Sequence, residues 1–188
     1  MRTEDSFVAR ARACRSHEDI QALYAEWANT YNSDLKTSAH DYVAPSIVAE
    51  TAFKLSVQTN RTILDAGCGT GLVGVALAKR GATTIDGLDL SPHMLEVAEK
   101  SGVYQSVFLG DLTKEIAKPS QELVRVLKDD GHIVITVLEE IWLSGGFKAE
   151  VGKLEAEGVV NVLSTELRHY LKGKDKAYVL VLQKRAMT

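Results

Sequence analysis

The residues with the types and spacing to do chemistry lie in Ile63-Leu64-Asp65-Ala66-Gly67-Cys68-Gly69-Thr70-Gly71-Leu72-Val73-Gly74. Asp65 stands two positions before the alternating glycines Gly67, Gly69 and Gly71. Such a run lets the backbone bend sharply and lie against a ligand with no Cβ in the way. Two further acids, Asp89 and Asp111, follow at the ends of later apolar runs. An ionised carboxylate is a pure acceptor and suits hydroxyl or amino donors on a ligand. Strand, glycine turn and helix in that order describe a nucleotide-type site at the carboxyl end of a parallel strand.

The elements that must position these residues are legible around them. Ile63 and Leu64 read as a buried strand bounded upstream by the polar run Gln58 to Arg61. From Leu72, Val73, Ala76 and Leu77 continue at helical spacing, and Gly81 stands where a C-cap glycine belongs. Thr83 to Leu90 reads as a second strand with Asp89 at its carboxyl end. Ser91 can cap the next helix, with Pro92 in the first turn, where a missing N–H costs nothing. Met94, Leu95, Val97 and Ala98 form its apolar face. Tyr104 to Gly110 is the third strand, followed by Asp111 and Leu112.

Ahead of this core, residues 1–16 read as a loosely held lead-in. Ser16 with Asp19 can cap a helix to about Tyr31, whose stripe is Ile20, Leu23, Tyr24, Trp27 and Tyr31. A second helix, broken near Pro45, is expected over 40–59 as a cover for the sheet, with His40 and Tyr42 just before it. Downstream come a helix over 121–128, the turn Asp129-Asp130-Gly131 and a strand from His132 to Leu138. A helix from Phe147 to Glu157 follows, ended by Gly158. Val159–Leu171 and Tyr178–Gln183 then read as a closing β-hairpin.

Composition bounds the function. The 188 residues suit one domain over 1–188, 45% are hydrophobic, and the net charge is −3. That balance carries no global basic footprint for nucleic acid, and no basic-aromatic interleaving suggests RNA. No run approaches the length of a membrane helix. Cys14 and Cys68 are far apart and lack metal spacing, so no metal is expected. Few cysteines suit a reducing, cytoplasmic setting. Glu4 and Asp5 among the early arginines argue against a transit peptide. Cys68, inside the glycine turn, reads as a small packing residue rather than a nucleophile.

Gly69-x-Gly71-x-x-Gly74 satisfies the dinucleotide pattern literally. The wider Asp-x-Gly-x-Gly-x-Gly instead resembles motif I of the class I S-adenosylmethionine (SAM)-dependent methyltransferases. A carboxylate at Asp65 would also repel a pyrophosphate, which leaves a NAD site as the weaker alternative. Leu88-Asp89-Leu90-Ser91-Pro92-x-Met94-Leu95 resembles the segment that follows motif I in that family, and Tyr24 to Asn32 resembles the Tyr-x-x-Trp-Ala-x-x-Tyr-Asp segment before it, departing at Asn32. Gly102-Val103-Tyr104-Gln105 and the overall spacing look most like the small methyltransferase-like proteins of the Williams-Beuren region type, over roughly residues 17–138. The resemblance implies an α/β, Rossmann-like doubly wound, mostly parallel sheet with a C-terminal antiparallel hairpin, and SAM as cofactor. It places Asp65 and the turn glycines Gly67, Gly69 and Gly71 at the methionine part, with Tyr31 near the cofactor's carboxylate. It gives Asp89 the ribose hydroxyls, sets Leu90 and Met94 beside the adenine, and puts Asp111 and the Leu112 backbone N–H at the ring. The implied reaction is methyl transfer to a small-molecule acceptor. The alternatives are a SAM-binding protein without transferase activity and, third, a NAD-dependent oxidoreductase.

One departure matters. The family carries a fourth strand beside the first, and nothing over 112–120 is apolar enough to be a central strand. The expected remedy is that strand 132–138 pairs with strand 61–66, giving six strands in one sheet instead of seven; the alternatives are that a partner chain (a homodimer with an exchanged strand) supplies the strand or that the shortened chain folds poorly. Substrate contacts normally carried by the missing end fall to Glu139, Glu140 and Trp142, with the two acids pointing to opposite faces of a strand.

Overall fold

The computed structural model describes residues 7–14, 16–36, 42–55, 61–111, 119–144, 146–171 and 175–186. The chain divides into two compact units, one built from residues 1–37 and 59–112, the other from 38–58 and 113–188.

The first unit begins with α1 (Phe7–Ala13), α2 (His17–Trp27) and α3 (Tyr31–Lys36). Ser16 caps α2 as its sequence suggests, its Oγ accepting from Asp19 N at 3.1 Å. Two expectations are corrected here. The lead-in contains a helix, because Phe7 stacks on Trp27 at 5.2 Å and Arg10 donates to both carboxylate oxygens of Glu26. The helix capped by Ser16 ends at Trp27 instead of running to Tyr31, and Tyr31 opens a new one. Trp27 Nε1 donates to Asp34 Oδ2 at 2.9 Å, folding α3 back onto the end of α2.

The same unit holds β1 (Thr62–Ala66), α5 (Leu72–Ala78), β2 (Thr84–Asp89), α6 (Pro92–Lys100) and β3 (Ser106–Leu109). The strands form a parallel sheet in the order β1-β2-β3, with Asp65 opposite Gly87 and Asp89 opposite Leu109. Strand alternation sets the faces. Ile85 is fully buried, whereas Leu64 and Phe108, which alternate onto the other face, are exposed. Cys68, Leu95 and Ala98 pack with Tyr104 and Val107 beneath the first face.

The second unit comprises α4 (Ala44–Lys54), α7 (Pro119–Val126), β4 (His132–Leu138), α8 (Glu139–Ser144), α9 (Phe147–Ala156), β5 (Val160–Leu171) and β6 (Asp175–Lys184). Pro45 sits in the first turn of α4, where it starts the helix instead of breaking it. Its three strands are antiparallel in the order β4-β6-β5. Leu180 and Leu182 from β6, Val160 from β5, Val151 and Leu154 from α9, and Trp142 from α8 make the core.

The expected single six-stranded sheet is therefore corrected to two sheets of three strands. Among the described residues no ladder joins β4 to β1, and no strand lies between β3 and β4. Every residue of β4 from His132 to Leu138 has an antiparallel partner in β6, from Gln183 to Ala177, so β4 is the edge strand of the second sheet. Glu139 and Glu140 are also corrected. They open the helix α8, where acids are favoured by the helix dipole, and Trp142 is buried in the second unit's core.

Candidate functional site

The site is built at the carboxyl ends of β1 and β2, entirely within the first unit. The glycine turn is tied to β2 by its backbone: Gly67 N and Cys68 N both donate to Leu88 O, at 2.7 and 3.0 Å. Gly69 N donates to Asp89 Oδ2 at 2.8 Å, and Ser91 N to Asp89 Oδ1 at 2.9 Å. Each Asp89 oxygen thus holds one N–H donor and keeps acceptor capacity for a second. The carboxylate is oriented by the turn it helps to fix.

Gly67 and Gly69 have φ of +77° and +53°, and a Cβ built on either meets nothing within 4 Å. These positions need glycine for conformation, and they leave open space against the backbone. That is the space a ligand lying on the turn requires. The donor chemistry of SAM, two ribose hydroxyls and a methionine ammonium, suits the two acids that flank this opening.

Asp65 is buried at 8% exposure. Its Oδ2 accepts from Gly74 N at 3.1 Å, at the start of α5, and from the Tyr104 hydroxyl at 2.7 Å. Burial raises its carboxyl above the usual range, and the Tyr104 and Gly74 hydrogen bonds pull it part of the way back. Burial pushes the Cys68 thiol up to about 12, which leaves it inert at neutral pH and agrees with a packing role. Both cysteines are free.

The remaining sequence-derived candidates fall as follows. Tyr31 opens α3, its ring edge-on to Trp27 at 4.6 Å. Leu90 follows Asp89, and its carbonyl accepts from Gln21 Nε2 at 3.4 Å. Met94 is fully buried, placing its side chain in the interior of the unit. Gly71 precedes α5 with φ +90°. Asp111 follows Gly110, whose N–H donates to Asp89 O at 3.0 Å, so the ends of β2 and β3 are adjacent. Leu112 lies outside the described residues, as does His40.

Three contacts were not foreseen. Asn32 Oδ1 accepts from the buried Thr70 hydroxyl at 2.6 Å, latching α3 to the glycine turn. Gln21 ties α2 to the end of β2 in the same way. Tyr104 fills the hollow left by Gly71, Gly74 and Gly87, each of whose Cβ atoms would crowd its ring or hydroxyl. The signal for Tyr104 was present: small residues at three positions on neighbouring elements need one large partner. Asn32 and Thr70 carry no such signal.

With this geometry in place, the likeness to known proteins is informative. A family model described as a methyltransferase domain matches residues 63–122, the stretch that runs from the glycine turn past the end of β3. The chain is 33% identical to human methyltransferase-like protein 27 over 144 residues, covering 71% of this chain and 58% of that protein. It is 32% identical over 124 residues to an 18S rRNA (guanine-N(7))-methyltransferase of Arabidopsis thaliana, covering 60% of this chain and 40% of that protein. The chain therefore spans only about half the length of these curated relatives. Among solved structures, a TehB-like SAM-dependent methyltransferase from Corynebacterium glutamicum superposes with a TM-score of 0.62 at 20% identity, over 87% of this chain and 99% of that one. The cyclase SpnF superposes with a TM-score of 0.69 at 15% identity, over 93% and 98%.

The fold is that of the class I SAM-dependent methyltransferases, α/β and Rossmann-like. The cofactor of this domain is SAM.

Proposed function

We propose that the chain transfers the methyl group of SAM to a small-molecule acceptor. The observation that carries the reading is the open glycine turn at Gly67 and Gly69, flanked by the carboxylates of Asp65 and Asp89. When bound, SAM supplies an electrophilic methyl group on a sulfonium. Asp89 accepts from the ribose hydroxyls, Asp65 faces the methionine ammonium, and the backbone at Gly67 and Gly69 lets the ligand lie close. Asp111 and Leu112 are assigned to the adenine, and Tyr31 to the carboxylate end. Transfer of this kind proceeds largely by positioning, so no general base is named. The net charge of −3 favours a small acceptor over a nucleic acid, although one relative is named as an rRNA methyltransferase. The test is methyl transfer from labelled SAM to three acceptor pools: small metabolites, RNA and protein. Label in the first supports the reading, and label confined to RNA or protein overturns the acceptor class.

A second reading has its own observation. Among the described residues no strand lies between β3 and β4, where substrate-side residues would stand, and SpnF, similar in fold, is described as a cyclase. A SAM-binding protein without transferase activity fits that state. It is distinguished by tight SAM binding with no label in any pool.

A further inference from the structure

Tyr104 has no part in the resemblance to motif I, yet it holds that motif together. It lies just before β3, and its neighbour Gln105 anchors the segment by donating its N–H to Ile85 O at 2.7 Å. The ring reaches under the glycine turn. A Cβ at Gly71 would come within 2.9 Å of its Cε2, one at Gly87 within 3.1 Å of its Cδ1, and one at Gly74 would overlap its hydroxyl. The hydroxyl donates to Asp65 Oδ2 at 2.7 Å, the same oxygen that Gly74 N reaches from α5. Both of Asp65's hydrogen bonds therefore fall on one oxygen. Among the described residues neither hydrogen bond falls on Oδ1.

We propose that Tyr104 is a positioning residue for the cofactor: by holding Asp65 Oδ2 from beneath the glycine turn it turns Oδ1 toward the ligand's ammonium. This rests on the SAM reading above and adds to it the group that sets the acid's orientation. The groups that face Asp65 are few. Tyr104 and the Gly74 N–H favour the charged form, whereas Asp89 at the end of β2 opposes it through like charge, as does burial. Cys68 in the turn is held as a neutral thiol. Removing the hydroxyl takes away a donor to the carboxylate, so the acid holds its proton to higher pH. A protonated Asp65 offers an ammonium no charge.

The experiment is calorimetric titration of the full chain and of Tyr104→Phe with SAM across pH 5 to 8, with 5′-methylthioadenosine, which lacks the amino-acid part, as a second ligand. Tyr104→Phe keeps the ring over Gly71, Gly74 and Gly87. The expected result is SAM binding weakened about tenfold at neutral pH, the scale of one hydrogen bond to a charged group. The fall in affinity on acidification should begin at higher pH in the variant than in the parent. Methylthioadenosine affinity should be unchanged. An equal loss for both ligands at every pH would reduce Tyr104 to packing and overturn the proposal. So would unchanged SAM affinity in the variant with the parent binding normally. A parent that binds methylthioadenosine and SAM equally removes the role of Asp65, and a parent that binds neither removes the SAM reading and this inference with it. Should Tyr104→Phe fail to melt cooperatively, Gly74→Ala gives the same readout, because its methyl group displaces the hydroxyl from Asp65. Selective, pH-dependent loss of SAM supports the proposal there, and its absence overturns it.

Discussion

Each of the two acids at the turn makes hydrogen bonds within the fold and is proposed to meet the ligand as well. Asp89 accepts from Gly69 N and Ser91 N and so helps to form the turn that it serves. Asp89→Ala should weaken SAM binding by about 1.5–3 kcal/mol, the range for hydrogen bonds to a charged group; unchanged affinity in calorimetry contradicts the ribose assignment. Asp65 has a native carboxyl raised above its unfolded value by burial. A raised acid favours the protonated native state, so its contribution to stability is present below the ordinary carboxylate range. It is lost as pH rises through the raised native value. Asp65→Asn keeps an acceptor oxygen for Gly74 N and Tyr104. The variant should be at least as stable as the parent in urea at neutral pH, and bind SAM less well. A variant less stable than the parent contradicts the burial account. These residues were legible in the sequence because alternating glycines mark a sharp turn and each acid closes an apolar run, while their assignment to a cofactor came from the resemblance to motif I and the segment after it. The Asn32–Thr70 contact was not, because it depends on which residues the fold brings opposite each other.

At the scale of elements, local signals held where they were strong and failed where tertiary contacts decide. The Ser16 and Ser91 caps form as their spacing requires, with side chains accepting from Asp19 N and Met94 N. The strand from His132 to Leu138 has the expected bounds. The helix α1 was not legible, because its stability comes from the Phe7–Trp27 stack and the Arg10–Glu26 pair. Glu139 and Glu140 gave no strand because two acids suit a helix N-terminus as well as a strand end. The α3 latch is an element-scale feature with a measurable energy. Asn32→Ala leaves the buried Thr70 hydroxyl without its acceptor and should cost about 1–3 kcal/mol in urea unfolding. Adding Thr70→Val should cost little more, since both partners are then gone. Additive losses contradict the pairing.

At the scale of the molecule, the two units have separate sheets and separate cores. Strand order could not be read from the sequence, because the mostly apolar β4 carries no signal that separates parallel from antiparallel pairing. What decided it is β6, whose run from Asp175 to Lys184 matches β4 and β5 along their lengths. Leu180 at the centre of β6 is fully buried, so Leu180→Ala should lower stability by about 2–5 kcal/mol in urea denaturation; a change under about 1 kcal/mol contradicts the core assignment. No helix among the described residues is long and apolar enough to cross a membrane. The residues proposed to hold the cofactor belong to the first unit, which has its own parallel sheet. The first unit is expected to bind SAM although, among the described residues, no strand lies between β3 and β4. Calorimetric titration of the full chain with SAM, with NAD as control, tests it most directly. Saturable one-to-one binding of SAM and none of NAD is the expected result. A cooperatively folded chain that binds no SAM, or that binds NAD in its place, contradicts the account.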